Sequence, residues 1–243
     1  MYIKRQINGK LTAIVNPIDP LQYLDKVQDN LNRICYSKVS INNIKLSFNK
    51  LSRVCRNIII TEEVKLCKKF NIKGALWGLL ANRSIYYLNS FYNYIDSLYN
   101  FDYCNKEEFR SLELQQVELQ KLAPEKNIKF MNSDIFSELR NENIINPSII
   151  ELDGMRILPT YYKDIEFIIN NRLNKESPTL VALTSSVGRA ITQEQYEKER
   201  INLVKLAESS GKLLHIDSIA YAEQKHYNGP HYPMRVELMV FNS

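Results

Sequence analysis

Glycine is scarce and scattered in this chain: seven residues among 243, with none clustered. A loop that cradles a phosphate needs glycines close together, so that backbone N–H groups can approach the ligand. The sequence therefore argues against a standard dinucleotide-binding fold and against a P-loop nucleotidase. The glycines that are present act as punctuation. Gly9 and Gly154 sit in turn dipeptides, Gly211 follows a helical run and Gly229 precedes Pro230.

Two hairpins are predicted from dipeptides that supply positive φ at both turn positions. The first joins Tyr2–Ile7 to Lys10–Val15 through Asn8-Gly9. The second joins Ile149–Leu152 to Met155–Tyr161 through Asp153-Gly154. Between them the pattern is helical. Asp19-Pro20 reads as an N-cap followed by a first-turn proline, with Leu21, Leu24, Val27, Leu31 and Ile34 at spacings of three and four. Further helices are expected over 43–56, from a Thr61 cap to Phe70, over 74–99, and from an Asn105/Glu108 cap to just before Pro124. Past residue 146 the rhythm changes. A helix over 163–173, a strand over 179–183, a helix from a Thr192/Gln195 capping box to Gly211, and strands over 212–222 and 234–241 are predicted.

The expected fold class is α+β: a helical N-terminal region inserted between a hairpin and a C-terminal mixed or antiparallel sheet with helices on one face. Residues 1–18 form the hairpin, which joins the C-terminal sheet because an isolated hairpin is marginal in water. Residues 19–145 form a basic helical region and 146–243 the α+β region, all within one composite domain. With 44% hydrophobic and 24% charged residues, the composition suits a folded globule rather than a disordered chain.

No apolar run reaches the roughly 18 residues of a spanning helix, and the start lacks the apolar core of a secretion signal. Cys35, Cys55, Cys67 and Cys104 have neither CxxC nor Cys/His ligand spacing, which points to reduced, buried thiols. A cytoplasmic protein is expected, although export by a signal-less specialised route is compatible with the same features. His215, Asp217, Glu223, His226 and His231 lie close in sequence, but HYNGPHYP reads as a loop with solvated histidines, and no metal site is predicted.

Charge is uneven. Residues 1–102 carry 15 Lys and Arg against 7 Asp and Glu, whereas 103–243 carry 17 against 20. The basic half is suited to nucleic acid or an acidic protein partner. Lys65, Lys68, Lys69, Lys73 and Arg83 surround the segment TEEVKLCKKFNIKGALWGLLANR, in which Leu66, Cys67, Phe70, Ile72, Trp77 and Leu80 fall where a helix-turn-helix places its packing residues. The segment resembles that family over about twenty residues, but its recognition helix, Gly74–Ala81, lacks side chains that bond base edges. The aromatic run from Tyr86 to Tyr103 reads as core packing more readily than as a base-stacking surface.

Two further resemblances bear on the C-terminal half. Residues 180–223, a strand, a turn, a helix ending LVKLAESSG and a strand, resemble the ferredoxin-like domain of bacterial ribonuclease E inhibitor B proteins, which implies a small binding module. Arg156, then Thr184-Ser185-Ser186 after a strand, then Glu237 on a later strand, are similar in order to the arginine, hydroxyl and glutamate series of NAD-dependent ADP-ribosyltransferases. That resemblance implies that Arg156 and Ser185 hold NAD while Glu237 stabilises the developing oxocarbenium ion. The leading expectation is a non-enzymatic regulatory protein with no cofactor, contacting nucleic acid or an acidic protein through its basic helical surface. An ADP-ribosyltransferase-like bacterial effector or toxin using NAD is the alternative.

Overall fold

The computed structural model describes residues 2–7, 10–15, 50–80, 83–141, 145–186, 192–224 and 231–243. Nine strands form one sheet in the order β2-β1-β8-β9-β7-β6-β3-β4-β5. They are β1 Tyr2–Ile7, β2 Lys10–Val15, β3 Gly74–Gly78, β4 Ile95–Phe101, β5 Asn127–Met131, β6 Ile149–Arg156, β7 Thr179–Ser186, β8 Leu213–Gln224 and β9 His231–Phe241. The central strands β5, β4, β3, β6 and β7 are mutually parallel. β9 then inserts antiparallel between β7 and β8, and β1 pairs antiparallel with β8.

Among the described residues, six helices connect these strands: α1 Lys50–Phe70, α2 Ser84–Phe91, α3 Lys106–Leu122, α4 Ile135–Leu139, α5 Tyr162–Asn171 and α6 Gln193–Ser209. They cover both faces of the sheet. Ile59, Leu66, Leu88, Phe91, Leu112 and Leu119 from α1, α2 and α3 pack on Leu76, Leu98, Val236 and Leu238. Phe136, Ile165, Ile168, Leu203 and Ala207 from α4, α5 and α6 pack on Trp77, Ile150, Val181 and Met239. The two sets alternate along β3, β7 and β9, as the two-residue period of a strand requires. Ile165, Ile168 and Ile169, three and four apart, each contribute about 1.5–3 kcal/mol by burial.

The expected mixture of helix and sheet is present, but the sheet is mostly parallel and has helices on both faces. The predicted helix over 74–99 is instead β3, α2 and β4. β3 is buried on both faces, so its Ala-Leu-Trp run has no alternation to distinguish it from a buried helix. The helix-turn-helix resemblance fails at the same point, because its recognition helix is a central strand. The second hairpin is also corrected: β6 runs straight through Asp153-Gly154, with a register shift between Leu152 and Arg156. Thr61 lies inside α1 rather than capping a helix, and the Asp19-Pro20 helix lies outside the described residues.

Local signals fared better. Asn105 accepts from the N–H groups of Glu107 and Glu108 at the start of α3. Thr192 and Gln195 form a reciprocal capping box at 3.2 and 2.7 Å. Gly211, at φ 68°, ends the α6 segment in the left-handed region that suits glycine. Among the described residues, no helix is long and apolar enough to cross a membrane.

Candidate functional site

From β3 the chain winds outward to β4 and β5 on one side, and β6 and β7 follow on the other. The strand order thus reverses between β3 and β6. In open α/β sheets such a reversal leaves a crevice at the carboxyl ends of the strands, where ligands bind. The loop after β3, Asp102 after β4 and Asp153 near the end of β6 all arrive at this end.

The loop after β3 is tightly held. Leu79 N–H donates to the Glu151 carbonyl at 3.1 Å, and Leu80 N–H donates to Asn100 Oδ1 at 3.0 Å. Leu80 is fully buried and turns back over Gly78. A Cβ at Gly78 would lie 2.6 Å from Leu80 Cδ2 and 2.7 Å from Glu151 Cβ. Gly78→Ala is therefore expected to cost about 1–3 kcal/mol, the usual cost of overpacking, read as a lower thermal midpoint, and to weaken any ligand held by this loop.

Arg83 stands at the head of α2. Its Nη2 donates to the Leu79 carbonyl at 2.6 Å and its Nε to the Leu80 carbonyl at 3.1 Å, while Nη1 pairs with Asp153 Oδ2 at 2.5 Å. Asp102 is half-buried. Burial, reinforced by the nearby charge of Glu108, raises its carboxyl pKa above the ordinary range, with Arg83 opposing. Asn105 fixes Glu107 and Glu108 in the first turn of α3, where the helix dipole favours negative charge. Between them Tyr103 is 83% exposed. Its loop is clamped by Asn132, which accepts from Cys104 N–H and donates to the Cys104 carbonyl, both at 3.2 Å. This end of the sheet carries Asp102 and Asp153 close to Arg83, with Glu108 near Asp102.

Across β6, β7 and β9 the register sets Arg156, Ser185 and Arg235 in one row. Ser185 is fully buried, its hydroxyl 3.0 Å from the Tyr196 phenol. Tyr196 donates to Glu237 at 3.1 Å and Ser218 donates to it at 2.8 Å. Arg200 Nε lies 3.1 and 3.0 Å from the two Glu237 oxygens. Glu237 itself is fully buried, and burial pushes its carboxyl pKa up against the opposing Arg200. Burial, then the Glu237 charge, likewise pushes the Tyr196 phenol up. Ser185 and Glu237 thus belong to a sealed polar network, where neither can touch a nucleotide, and the ADP-ribosyltransferase reading falls. Arg156 is the exposed member of that trio. Its guanidinium lies 4.4 Å from the centre of the Phe136 ring.

Lys65 pairs with Glu62 at 2.7 Å. Lys68 and Lys69 are exposed at the end of α1, and Lys73 is exposed just before β3. These lysines therefore lie at the amino end of β3, about 16 Å of strand away from the crevice. Arg83 alone of the predicted basic set reaches the crevice. His215 packs on Phe70 with ring centres 5.8 Å apart, whereas His226 lies outside the described residues. Among the described residues no group of three His, Cys, Asp or Glu could hold a metal ion. Sequence reasoning passed over Asp102 and Asp153. Asp102 follows the apolar run of β4 directly, a usable signal once that run is read as a strand, whereas Asp153 was absorbed into a turn dipeptide.

The sequence matches no protein-family model and no curated protein. Solved structures share the fold. A Pyrococcus horikoshii protein classed among RNA methyltransferases aligns with 90% of this chain and 100% of its own, at TM-score 0.51 and 7% identity. Trm5b of Pyrococcus abyssi aligns at TM-score 0.46 and 12% identity with 82% of this chain, which spans about half (51%) of the Trm5b length. TrmK of M. capricolum, determined with S-adenosyl-homocysteine, aligns at TM-score 0.40 and 18% identity over 74% of this chain and 66% of its own. The likeness to the P. horikoshii protein agrees with the strand pairing: the fold is a mostly parallel α/β sheet. It is neither the ferredoxin-like fold of the ribonuclease E inhibitor B family nor that of an ADP-ribosyltransferase. The expectations of a non-enzymatic regulator, of an NAD-using effector and of no cofactor are corrected on the same ground.

Proposed function

We propose that this protein is an S-adenosylmethionine-dependent methyltransferase acting on nucleic acid. The observation that carries the reading is the acidic cluster of Asp102, Glu108 and Asp153 around Arg83, at the carboxyl ends of β4 and β6 beside the switch point of this fold. S-adenosylmethionine is a nucleoside with a ribose diol, an adenine and a sulfonium charge, and it has no phosphate. Clustered glycines are needed to approach a pyrophosphate; a phosphate-free nucleoside does not require them, so the Gly78-Leu79-Leu80 loop is compatible with it.

The residues present fit such a ligand. Asp102, half-buried after β4, is placed to accept both ribose hydroxyls, the role an acidic residue plays about 20 residues past the first loop in nucleoside-binding sheets. Tyr103, exposed beside it on a clamped loop, offers a ring for the adenine. Asp102, Glu107 and Glu108 favour a cation over a neutral ligand, while Arg83 holds Asp153 and the two loop carbonyls in place. Bound there, the cofactor would supply an electrophilic methyl group to a nucleophilic atom of the substrate, with the carbon–sulfur electron pair left on sulfur as a neutral thioether and the acceptor's proton released to solvent. Nucleic acid as acceptor follows the substrate named for the P. horikoshii neighbour.

Isothermal titration with S-adenosylmethionine, S-adenosylhomocysteine and NAD tests the reading. Saturable binding of the first two without NAD binding is expected, with the cationic methyl donor held more tightly than the neutral product. Tritium should then pass from the labelled methyl group to RNA or DNA. Binding of neither adenosyl compound overturns the proposal.

A further inference from the structure

The geometry points to Arg156 as the residue that anchors a backbone phosphate of the nucleic-acid substrate at the rim beyond β6. The inference rests on the methyltransferase reading and goes beyond it, by naming the side chain that meets the substrate and the substrate group that it meets.

The arginines around it are committed. Arg83 pairs with Asp153, Arg140 with Asp164, Arg200 with Glu237 and Arg235 with Glu197. Among the described residues, Arg156 lies over the Phe136 ring and pairs with no carboxylate. A guanidinium held over a ring face spends none of its N–H donors on that contact, and its planar fork is suited to bidentate capture of a phosphate. The backbone beneath is also fixed. Arg156 N–H donates to the Tyr161 phenol at 3.3 Å, and that phenol donates to the Thr184 carbonyl at 3.2 Å. An exposed cation ordered from both sides has little conformational entropy left to lose on binding.

The distribution of charge around the crevice gives the direction of approach. Asp102, Glu107 and Glu108 make the β4 and α3 side unfavourable for a polyanion. On the other side, Arg156 lies in the row that continues through Ser185 to Arg235. Arg235 is buried and bound to Glu197 at 2.7 Å, which leaves Arg156 as the open member of that row. A cationic cofactor on the acidic side and a phosphodiester strand on the arginine side meet at the crevice between them.

The test uses the full chain and a 12-nucleotide single-stranded RNA, with a methylphosphonate strand of the same sequence as the uncharged control. Arg156→Ala should weaken binding of the phosphodiester strand about tenfold, and should reduce the slope of log affinity against log salt by about 0.7, the contribution of one single-strand phosphate. Arg156→Lys, which keeps the charge but not the planar fork, should fall between. The wild-type protein should hold the methylphosphonate strand no better than Arg156→Ala holds the phosphodiester strand. Lys69→Ala, at the opposite end of β3, should leave binding unchanged. Equal affinity and salt slope in wild type and Arg156→Ala overturns the anchor. So does failure of the wild type to bind either strand, a result that turns attention to an acidic protein substrate. Titration with S-adenosylhomocysteine reports separately on the methyltransferase reading, and its result should be the same for wild type and Arg156→Ala.

Discussion

Glu237→Ala is expected to lower the stability of the fold by about 3–5 kcal/mol, the usual cost of removing one partner of a buried ion pair. Arg200, whose side chain is 8% exposed, would keep its charge and lose its carboxylate. Tyr196 and Ser218 would each lose an acceptor in a region closed to water. Glu237→Gln, which retains the shape and one carbonyl oxygen, should cost less. Urea unfolding followed by circular dichroism measures both. The same pair separates architecture from chemistry: if Glu237→Gln stays folded and binds S-adenosylhomocysteine with wild-type affinity, the carboxylate supports the sheet and takes no part in ligand binding. A fully stable Glu237→Ala protein would contradict the sealed network.

Asp102→Asn should show the opposite profile. The amide keeps one acceptor oxygen and loses the other; one hydrogen bond to a charged acceptor, worth about 1.5–3 kcal/mol, corresponds to a roughly 10- to 100-fold loss of affinity for S-adenosylmethionine. Stability at neutral pH should hold or rise. The sign follows from the raised pKa of the folded protein. A carboxyl group that holds its proton more tightly when folded contributes stability that is fully present below its unfolded pKa and is lost as pH rises through its folded value. Ligand binding runs the other way, because it needs the carboxylate. Affinity should therefore fall about tenfold per pH unit below the folded pKa, starting at a higher pH than for an ordinary aspartate, and the amide variant, which has no proton to gain there, should lose this dependence. Titration calorimetry across the acid range checks it, and an unchanged profile in the variant removes Asp102 from the site.

The features legible in the sequence were those decided by a few neighbouring residues. The caps at Asn105 and Thr192 and the stop at Gly211 each depend on one side chain and the backbone beside it, and each is found in the structure. The central strands were lost for the opposite reason. Ala75, Leu76 and Trp77 are apolar in every direction because both faces of β3 are covered, so their pattern carries no period. Misreading β3 and β4 as helix concealed where the chain reverses, and with it the crevice. Asp102 could not be recognised as a residue at the end of a strand while the strand itself was read as helix. Glycine scarcity was correctly noted and too widely applied: it weighs against a pyrophosphate cradle, whereas the α/β fold that often carries one is present.

The pairing of β1 with β8 also bears on how the chain reaches its final form. Lys4 lies opposite Ala220, and Ile7 opposite Asp217, so this ladder joins segments separated by nearly the whole described sequence. In the parallel core, by contrast, β3 pairs with β4, β4 with β5 and β6 with β7, strands that follow one another directly, and the β3–β6 pair spans a shorter loop than β1–β8. Closing so long a loop costs entropy before any contact rewards it. During synthesis β1 has no partner strand in the main sheet until β8 has left the ribosome. The sheet is therefore completed at that edge only once β8 has been made, and a chain stalled before residue 213 would carry β1 and β2 without their docking site.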